Sequence, residues 1–128
     1  MLDETLIFQL VKKVNPGLAT WYPGWPERFE GITDKKAIAC WKVDQNSVAI
    51  STSSNPEFST RLRVQLNTWS KTPEQRMKLN AAIDDVFIKA FKRVSVSPVE
   101  ETLPGNVRAF RSIMIYEGTY QKNMGVFR

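Results

Sequence analysis

The sequence contains no histidine, the residue that proteins use most often as a general base and as a metal ligand. Its single cysteine, Cys40, excludes an intrachain disulfide and lies in an apolar strand pattern that disfavours a reactive thiolate. The six glycines are scattered and form no phosphate-binding loop. No apolar run approaches the ~20 residues that cross a bilayer. We therefore expect no catalytic residue, no cofactor and no metal.

The carboxylates do not supply the missing chemistry, because they come as pairs of adjacent residues. Neighbouring residues on a helix do not face each other, so Asp84 and Asp85 are predicted to decorate the solvated side of a helix. Glu100 and Glu101 fall in a predicted loop, with no further ligand nearby to complete a cation site. No pair predicts an acid and a base that work together.

Length and charge indicate one domain with a basic surface. The chain has 128 residues, which predicts a single domain over 1–128. Its net charge is +5, and the whole excess of Lys and Arg lies after Pro56. Such a surface suits nucleic acid, an acidic partner or simple solubility. The acidic start, Met-Leu-Asp-Glu, is not typical of a secretory signal.

The strongest pattern lies between residues 59 and 93 and predicts a strand, a turn and a long helix. The strand alternates a mostly apolar face with a polar one. Thr72 is a good N-cap, Pro73 suits the first helical position, and Gln75 completes a capping box. The helix is predicted to run to Phe91 and to pack its apolar stripe on the sheet. The residues expected to be buried together are Leu66, Ile83 and Phe87.

The same patterns predict the other elements. Before the long helix they are a helix over 2–14, a short strand at Leu18–Tyr22, and a hairpin of strands 35–43 and Ser47–Thr52 around a turn at Asp44–Asn46. After it they are a strand at Val94–Ser97 that Pro98 stops, a loop over Glu100–Asn106, a strand over Val107–Tyr116 and a polar tail. Arg111 interrupts the alternation of the last strand, which predicts a bulge or a sheet edge there. The predicted fold class is α+β, a mainly antiparallel β-sheet packed against two α-helices, the N-terminal helix and the long central helix.

Two segments carry large side chains that the predicted core does not use. Aromatic residues in the Pro- and Gly-rich stretch after the first strand either cover one end of the core or form an interaction patch. Base stacking would use such rings, but no Arg or Lys lies between them. Spaced apolar residues in the tail can dock on the same subunit or on a neighbour. The predicted contact residues in these two segments are Trp21, Tyr22, Trp25, Tyr120, Met124 and Phe127.

The run RLRVQLNTWSKTPEQ, from Arg61 to Gln75, resembles a stretch common in the tail-terminator, or tail-completion, proteins of long-tailed bacteriophages. In that family, a strand of the form R-x-Q-x-x-x-W precedes a short turn of Ser, Lys and Thr and then a long helix. The order of elements is similar over most of the chain, whereas the segment Trp21–Pro26 departs from the family's pattern. The matching positions are Arg63, Gln65 and Trp69, then Ser70, Lys71 and Thr72.

The resemblance implies a structural protein without catalytic residues or cofactors. It would form a ring, usually hexameric, at the head-proximal end of the tail tube. There it would stop polymerisation of the tube protein and present a surface to the head connector or completion protein, while DNA passes through the lumen as cargo. The implied location is the tail of the virion, after assembly in the cytoplasm of the host bacterium, with no membrane contact.

Two other interpretations stay open. One is another protein of the same neck region, such as a head-completion or connector protein. The other is a small basic nucleic-acid-binding module, for which salt-dependent affinity for DNA would be the sign, because phosphate contacts release counterions. The arginines that would form the basic sheet face of such a module are also predicted contact residues for another subunit or a partner: Arg61, Arg63, Arg108 and Arg111.

Overall fold

The computed structural model shows a β-sheet with two helices packed on one of its faces, which confirms the predicted α+β class. It describes residues 3–14, 16–26, 29, 32–33, 35–50, 57–104, 106–121 and 125–127. The helices are α1 (Asp3–Lys13) and α2 (Pro73–Phe87). The strands are β1 (Ala19–Pro23), β2 (Ala37–Ile50), β3 (Glu57–Ser70), β4 (Lys92–Leu103), β5 (Val107–Gln121) and β6 (Gly125–Phe127).

The strand order explains which surfaces are edges. The main sheet runs β1-β2-β3-β5-β4, so β1 and β4 lie at its two sides. Among the described strands, β1 and β2 pair in parallel and the other pairs are antiparallel, which agrees with the predicted mainly antiparallel sheet. The short β6 pairs with the end of β5, so the backbone of the tail docks on its own subunit there.

The main core lies between the sheet and the helices. Leu66, Ile83 and Phe87 are fully buried in one cluster, which confirms the predicted centre of the core. The alternation of β3 directs its apolar side chains to this face, because successive strand residues point to opposite sides. The helix α1 adds its own apolar stripe to the same cluster: Ile7, Leu10, Val11 and Val14.

The start of α2 follows the predicted capping chemistry. The backbone N–H of Gln75 donates to Thr72 Oγ1 at 3.1 Å, and Pro73 occupies the first turn. The side chain of Gln75 reaches back to the N–H of Lys71 at 2.8 Å, one residue before the N-cap. The end of α2 was predicted wrongly, since the helix stops at Phe87 instead of Phe91.

The chain turns after α2 without losing its apolar contacts. The N–H of Ile88 donates to Asp84 O, and the N–H of Phe91 donates to Phe87 O at 2.8 Å. This turn keeps the ring of Phe91 fully buried, with its centroid 5.9 Å from that of Phe87. The apolar spacing that predicted further helix therefore belongs to a packed turn.

The predicted turn at Asp44–Asn46 is also wrong, because β2 continues through it. Each of these residues pairs with β3, and Asp44 lies directly opposite Arg63. Opposite charges at facing positions favour an antiparallel pair. Sheet pairing thus overrides the local turn preference, and the hairpin joins β2 to β3.

Two predictions about the last strands need correction as well. Pro98 does not end its strand, and Glu100–Leu103 continue β4 where a loop was expected. Proline is tolerated there because β4 is a sheet edge, where one side of the strand needs no partner. The strand β5 is interior, and its register is unbroken at Arg111, so neither the bulge nor the edge predicted there exists. The irregularity lies in β4, between Arg93 and Ser95.

Asp84 does not simply decorate the helix surface as predicted. It accepts a hydrogen bond from the hydroxyl of the fully buried Tyr116 at 2.9 Å and pairs with Arg93 at 3.3 Å. Burial, and then this hydrogen bond to a carboxylate, raise the pKa of Tyr116. Asp84 therefore ties α2 to β5 and to the start of β4.

Candidate functional site

The sheet face opposite the helices carries a second, smaller core. Its buried members are Ile32, Ile38, Cys40, Trp69, Leu103 and Ala109. Trp69 is the last residue on the face of β3 that the sequence predicts to be polar, yet its side chain is fully buried. Around it lies what we call the Trp69 cluster, defined as Trp25, Asn67, Trp69, Glu101 and Arg111.

Trp69 is held by rings and by one hydrogen bond. The ring centroids of Trp25 and Phe29 lie 5.1 Å and 5.0 Å from that of Trp69, both nearly edge-on. This arrangement places the positive ring edge against the negative ring face. The indole Nε1 donates to Glu101 Oε2 at 2.9 Å, which satisfies the only polar atom of the buried side chain.

Arg111 lies between two tryptophan rings because it faces Trp69 across β3 and β5. Its guanidinium carbon is 5.1 Å from the ring centroid of Trp69 and 5.4 Å from that of Trp25, within the range of a cation–π contact. Its Nη2 donates to Asn67 Oδ1 at 2.8 Å, and its Nη1 lies 3.5 Å from Glu101 Oε2. Both terminal nitrogens of this arginine thus have a partner within the domain, whereas its buried Nε has none among the described residues.

Cys40 lies beside the cluster, directly opposite Asn67 on the neighbouring strand. Burial raises the pKa of Cys40 to about 11, although hydrogen bonds from Asn67 and the charge of Arg111 act in the opposite direction. The thiol is therefore protonated at neutral pH, and a protonated buried thiol is a poor nucleophile.

The buried thiol predicts a dependence of stability on pH. Between pH 9 and 11 the native state keeps the Cys40 proton and the unfolded chain releases it, so the free energy of unfolding should fall as pH rises. In Cys40→Ala this part of the fall, on the order of 2 kcal/mol, should disappear. Urea unfolding of both reduced proteins across that range measures the difference. If the free energy of unfolding fell equally steeply with pH in the two proteins, the raised pKa of Cys40 would be contradicted.

The predicted aromatic patch is divided between the two faces of the sheet. Trp21 belongs to the helix side, where its ring centroid lies 6.4 Å from that of Trp41. Tyr22 packs against the smaller core on the other face. Trp25 lies on that face too and is 55% exposed. These rings cover the two cores and leave Trp25 as the accessible one.

The four predicted arginines do not form one basic face. Arg108 stacks on Phe110 with its guanidinium carbon 5.5 Å from the ring centroid, on the side of the sheet that carries α2. It also pairs with Glu100, whereas Arg63 pairs with Glu117 at 3.8 Å on the opposite face. The exposed side chain of Arg61 shares the face of Arg63 by strand alternation. Carboxylates offset much of the positive charge at these positions.

The predicted tail contacts fall largely outside the described residues. Met124 lies outside them altogether. Tyr120 and Phe127 are described only through their backbones, which lie in β5 and β6. An interface role for these three residues stays a prediction.

Sequence reasoning missed the partners that complete the Trp69 cluster. Glu101 was assigned to a loop, and Asn67 to an ordinary polar face. One signal was present: a tryptophan on the polar side of a strand indicates that something covers it. A second was the spacing of Glu100 and Glu101 from Arg108 and Arg111, which suits an antiparallel hairpin.

Metal and membrane sites were also sought in the described part of the chain. There, no group of three or more His, Cys, Asp or Glu side chains could hold a metal ion. None of the helices described is long and apolar enough to cross a membrane. Compared with known proteins, the sequence matches no family model, and no curated protein matches it.

Proposed function

We propose that this protein is a structural component of a bacteriophage tail, a terminator that forms a closed ring, caps the head-proximal end of the tail tube and catalyses no reaction. In this role it stops polymerisation of the tube and offers the surface to which the head connector joins. The expected ring is hexameric, in line with the family that the sequence resembles, and the expected location is the virion.

The observation that carries the proposal is the strand, turn and helix formed by Arg61–Gln75. Arg63, Gln65 and Trp69 lie in β3, the turn follows at Lys71 and Thr72, and α2 begins at Pro73. The order of these elements supports the resemblance on which the proposal rests.

The two sides of the sheet indicate how copies would meet. On the β4 side, Val94, Val96 and Val99 are exposed, with Val96 opposite Met114 on the helix face and Val99 opposite Arg111 on the other face. On the β1–β2 side, Phe8 is 45% exposed and stacks on Trp41 at 6.0 Å. Because these apolar surfaces differ, a contact between them is head-to-tail, and such contacts close into rings when the rotation allows it.

The contact between copies is expected to use side chains, without joining the sheets. Pro98 lacks an N–H, and the irregularity between Arg93 and Ser95 disturbs the outer edge of β4. Both features discourage a further strand from pairing there.

The competing nucleic-acid module is less favoured, because its four arginines lie on two faces and three of them pair with carboxylates.

A phage or prophage that lacks the gene tests the function directly. We expect tails of irregular and excessive length that do not join heads, because nothing stops growth of the tube. Electron microscopy of the lysate measures tail length and the fraction of joined particles. Restoration of the wild-type gene should restore both. Tails of normal, fixed length without the gene would rule out a terminator.

Variants at the two sides test the contact between copies. Val96→Asp and Phe8→Asp should each give a folded protein that fails to restore tail length in the deletion strain, since a charge would have to be buried. Expression of both variants together should also fail, because every copy in a ring needs both surfaces. Met77→Asp is the matched control, since Met77 is 69% exposed on α2. Full restoration by Val96→Asp or by Phe8→Asp would exclude that side from the contact.

A further inference from the structure

The contact between α2 and the sheet changes character along the helix. Beneath its C-terminal half the contact is apolar and contains Ile83 and Phe87. Beneath its N-terminal half lies what we call the polar pocket, defined as Thr68, Ser70, Asn80 and Ser112. The three hydroxyl residues of this pocket have no exposed surface.

The fold places these four residues together for simple reasons. Thr68 and Ser70 continue the helix-facing alternation of β3, two and four residues beyond Leu66. Ser112 lies directly opposite Thr68 on β5. Asn80 reaches down from α2, and its Nδ2 donates to Ser112 Oγ at 2.9 Å.

That single bond leaves most of the pocket's hydrogen-bonding capacity unused. Thr68 Oγ1, Ser70 Oγ and Asn80 Oδ1 are buried, and none has a partner among the described residues. Buried polar side-chain atoms nearly always have a partner in the protein or in ordered water. A hydroxyl buried without one destabilises the fold.

The size and the charge of the pocket point to water as the missing partner. Thr68 and Ser112 are smaller than Leu66 and Met114, the facing pair two residues away on the same strands, so we expect room for a water molecule beneath the helix. None of the four side chains carries a charge, which disfavours an ion. A buried water typically makes about three hydrogen bonds to groups that have no other partner.

We propose that the polar pocket binds ordered water, which bridges Asn80 Oδ1 to the hydroxyls of Thr68 and Ser70. In this arrangement the water donates to the amide oxygen and exchanges hydrogen bonds with both hydroxyls. The N-terminal half of α2 then rests on the sheet through a hydrated polar layer, and its C-terminal half through the apolar core.

The sign of a stability change tests this proposal. Thr68→Val keeps the shape of the side chain and removes its hydroxyl, so it should lower Tm by about 3–6 °C if that hydroxyl bonds to water. Ser70→Ala should lower Tm as well. A rise in Tm for Thr68→Val would overturn the proposal, since removal of an unbonded buried hydroxyl is favourable. The matched controls, Thr102→Val and Ser97→Ala, change exposed strand residues and should leave Tm nearly unchanged.

A direct observation keeps the test independent of how the variants fold. A crystal structure of the wild-type protein at a resolution that shows ordered solvent should contain a water within hydrogen-bond distance of Asn80 Oδ1 and of at least one of the two hydroxyls. A pocket without such a water, or one whose hydroxyls bond to backbone carbonyls instead, would overturn the proposal.

Discussion

Phe87→Ala should lower the free energy of unfolding by about 3–5 kcal/mol, because it removes a buried ring and leaves a cavity. Phe87 has no exposed surface, and its ring centroid lies 5.2 Å from that of Tyr116 and 5.9 Å from that of Phe91. Its neighbours come from α2, β5 and the turn after the helix, so they cannot easily collapse into the space. Urea unfolding, followed by circular dichroism, measures the loss.

Met77→Ala is the matched control on the same helix. Met77 is 69% exposed, and substitutions of exposed residues usually change stability by less than about 0.5 kcal/mol. A loss under about 1 kcal/mol for Phe87→Ala, well below the range for buried aromatic residues, would show that α2 does not pack against the sheet in this way.

The parts of the fold that sequence patterns predicted well are those with sustained periodicity. The alternation of β3 and the stripe of α2 each repeat several times, and each face buries one side of the same core. Thr72 adds a local signal whose chemistry needs no distant partner. The local sequence is sufficient to predict such elements, and this is why the fold class and the centre of the core follow from the sequence.

The errors arose where distant pairing decides the local structure. The turn-like residues Asp44–Asn46 remain extended because β3 supplies a partner for each of them. Pro98 remains within a strand because β4 happens to be an edge, which depends on the position of β5. A local preference of a fraction of a kcal/mol cannot compete with a continuous ladder of hydrogen bonds.

The Trp69 cluster could not be predicted for a related reason. The bond from Trp69 to Glu101 spans 32 positions in the sequence, and the bond from Arg111 to Asn67 spans 44. No periodic pattern links such residues. Their meeting requires the strand order and the register, which place Trp69 and Arg111 opposite each other.

Trp69→Ala should have an effect as large as that of the main-core variant, about 3–5 kcal/mol, although Trp69 lies on the opposite face of the sheet. The change removes a fully buried ring and its contacts with Trp25 and Phe29. It also leaves Glu101 without the indole donor and Arg111 without one of its two rings. Trp69→Phe keeps a ring but removes the N–H, so its loss should be smaller, about 1–3 kcal/mol.

The effect of Trp69→Ala should also be local. Ile32 packs in the smaller core, and its N–H donates to Phe29 O at 3.2 Å, so exchange of this amide should become faster. The N–H of Ile88, which donates to Asp84 O at the end of α2, should lose protection only as far as global stability falls. Trp25→Ala is the control, since a ring that is 55% exposed contributes less to the core. If both amides lost protection equally in Trp69→Ala, the smaller core would not open separately from the larger one.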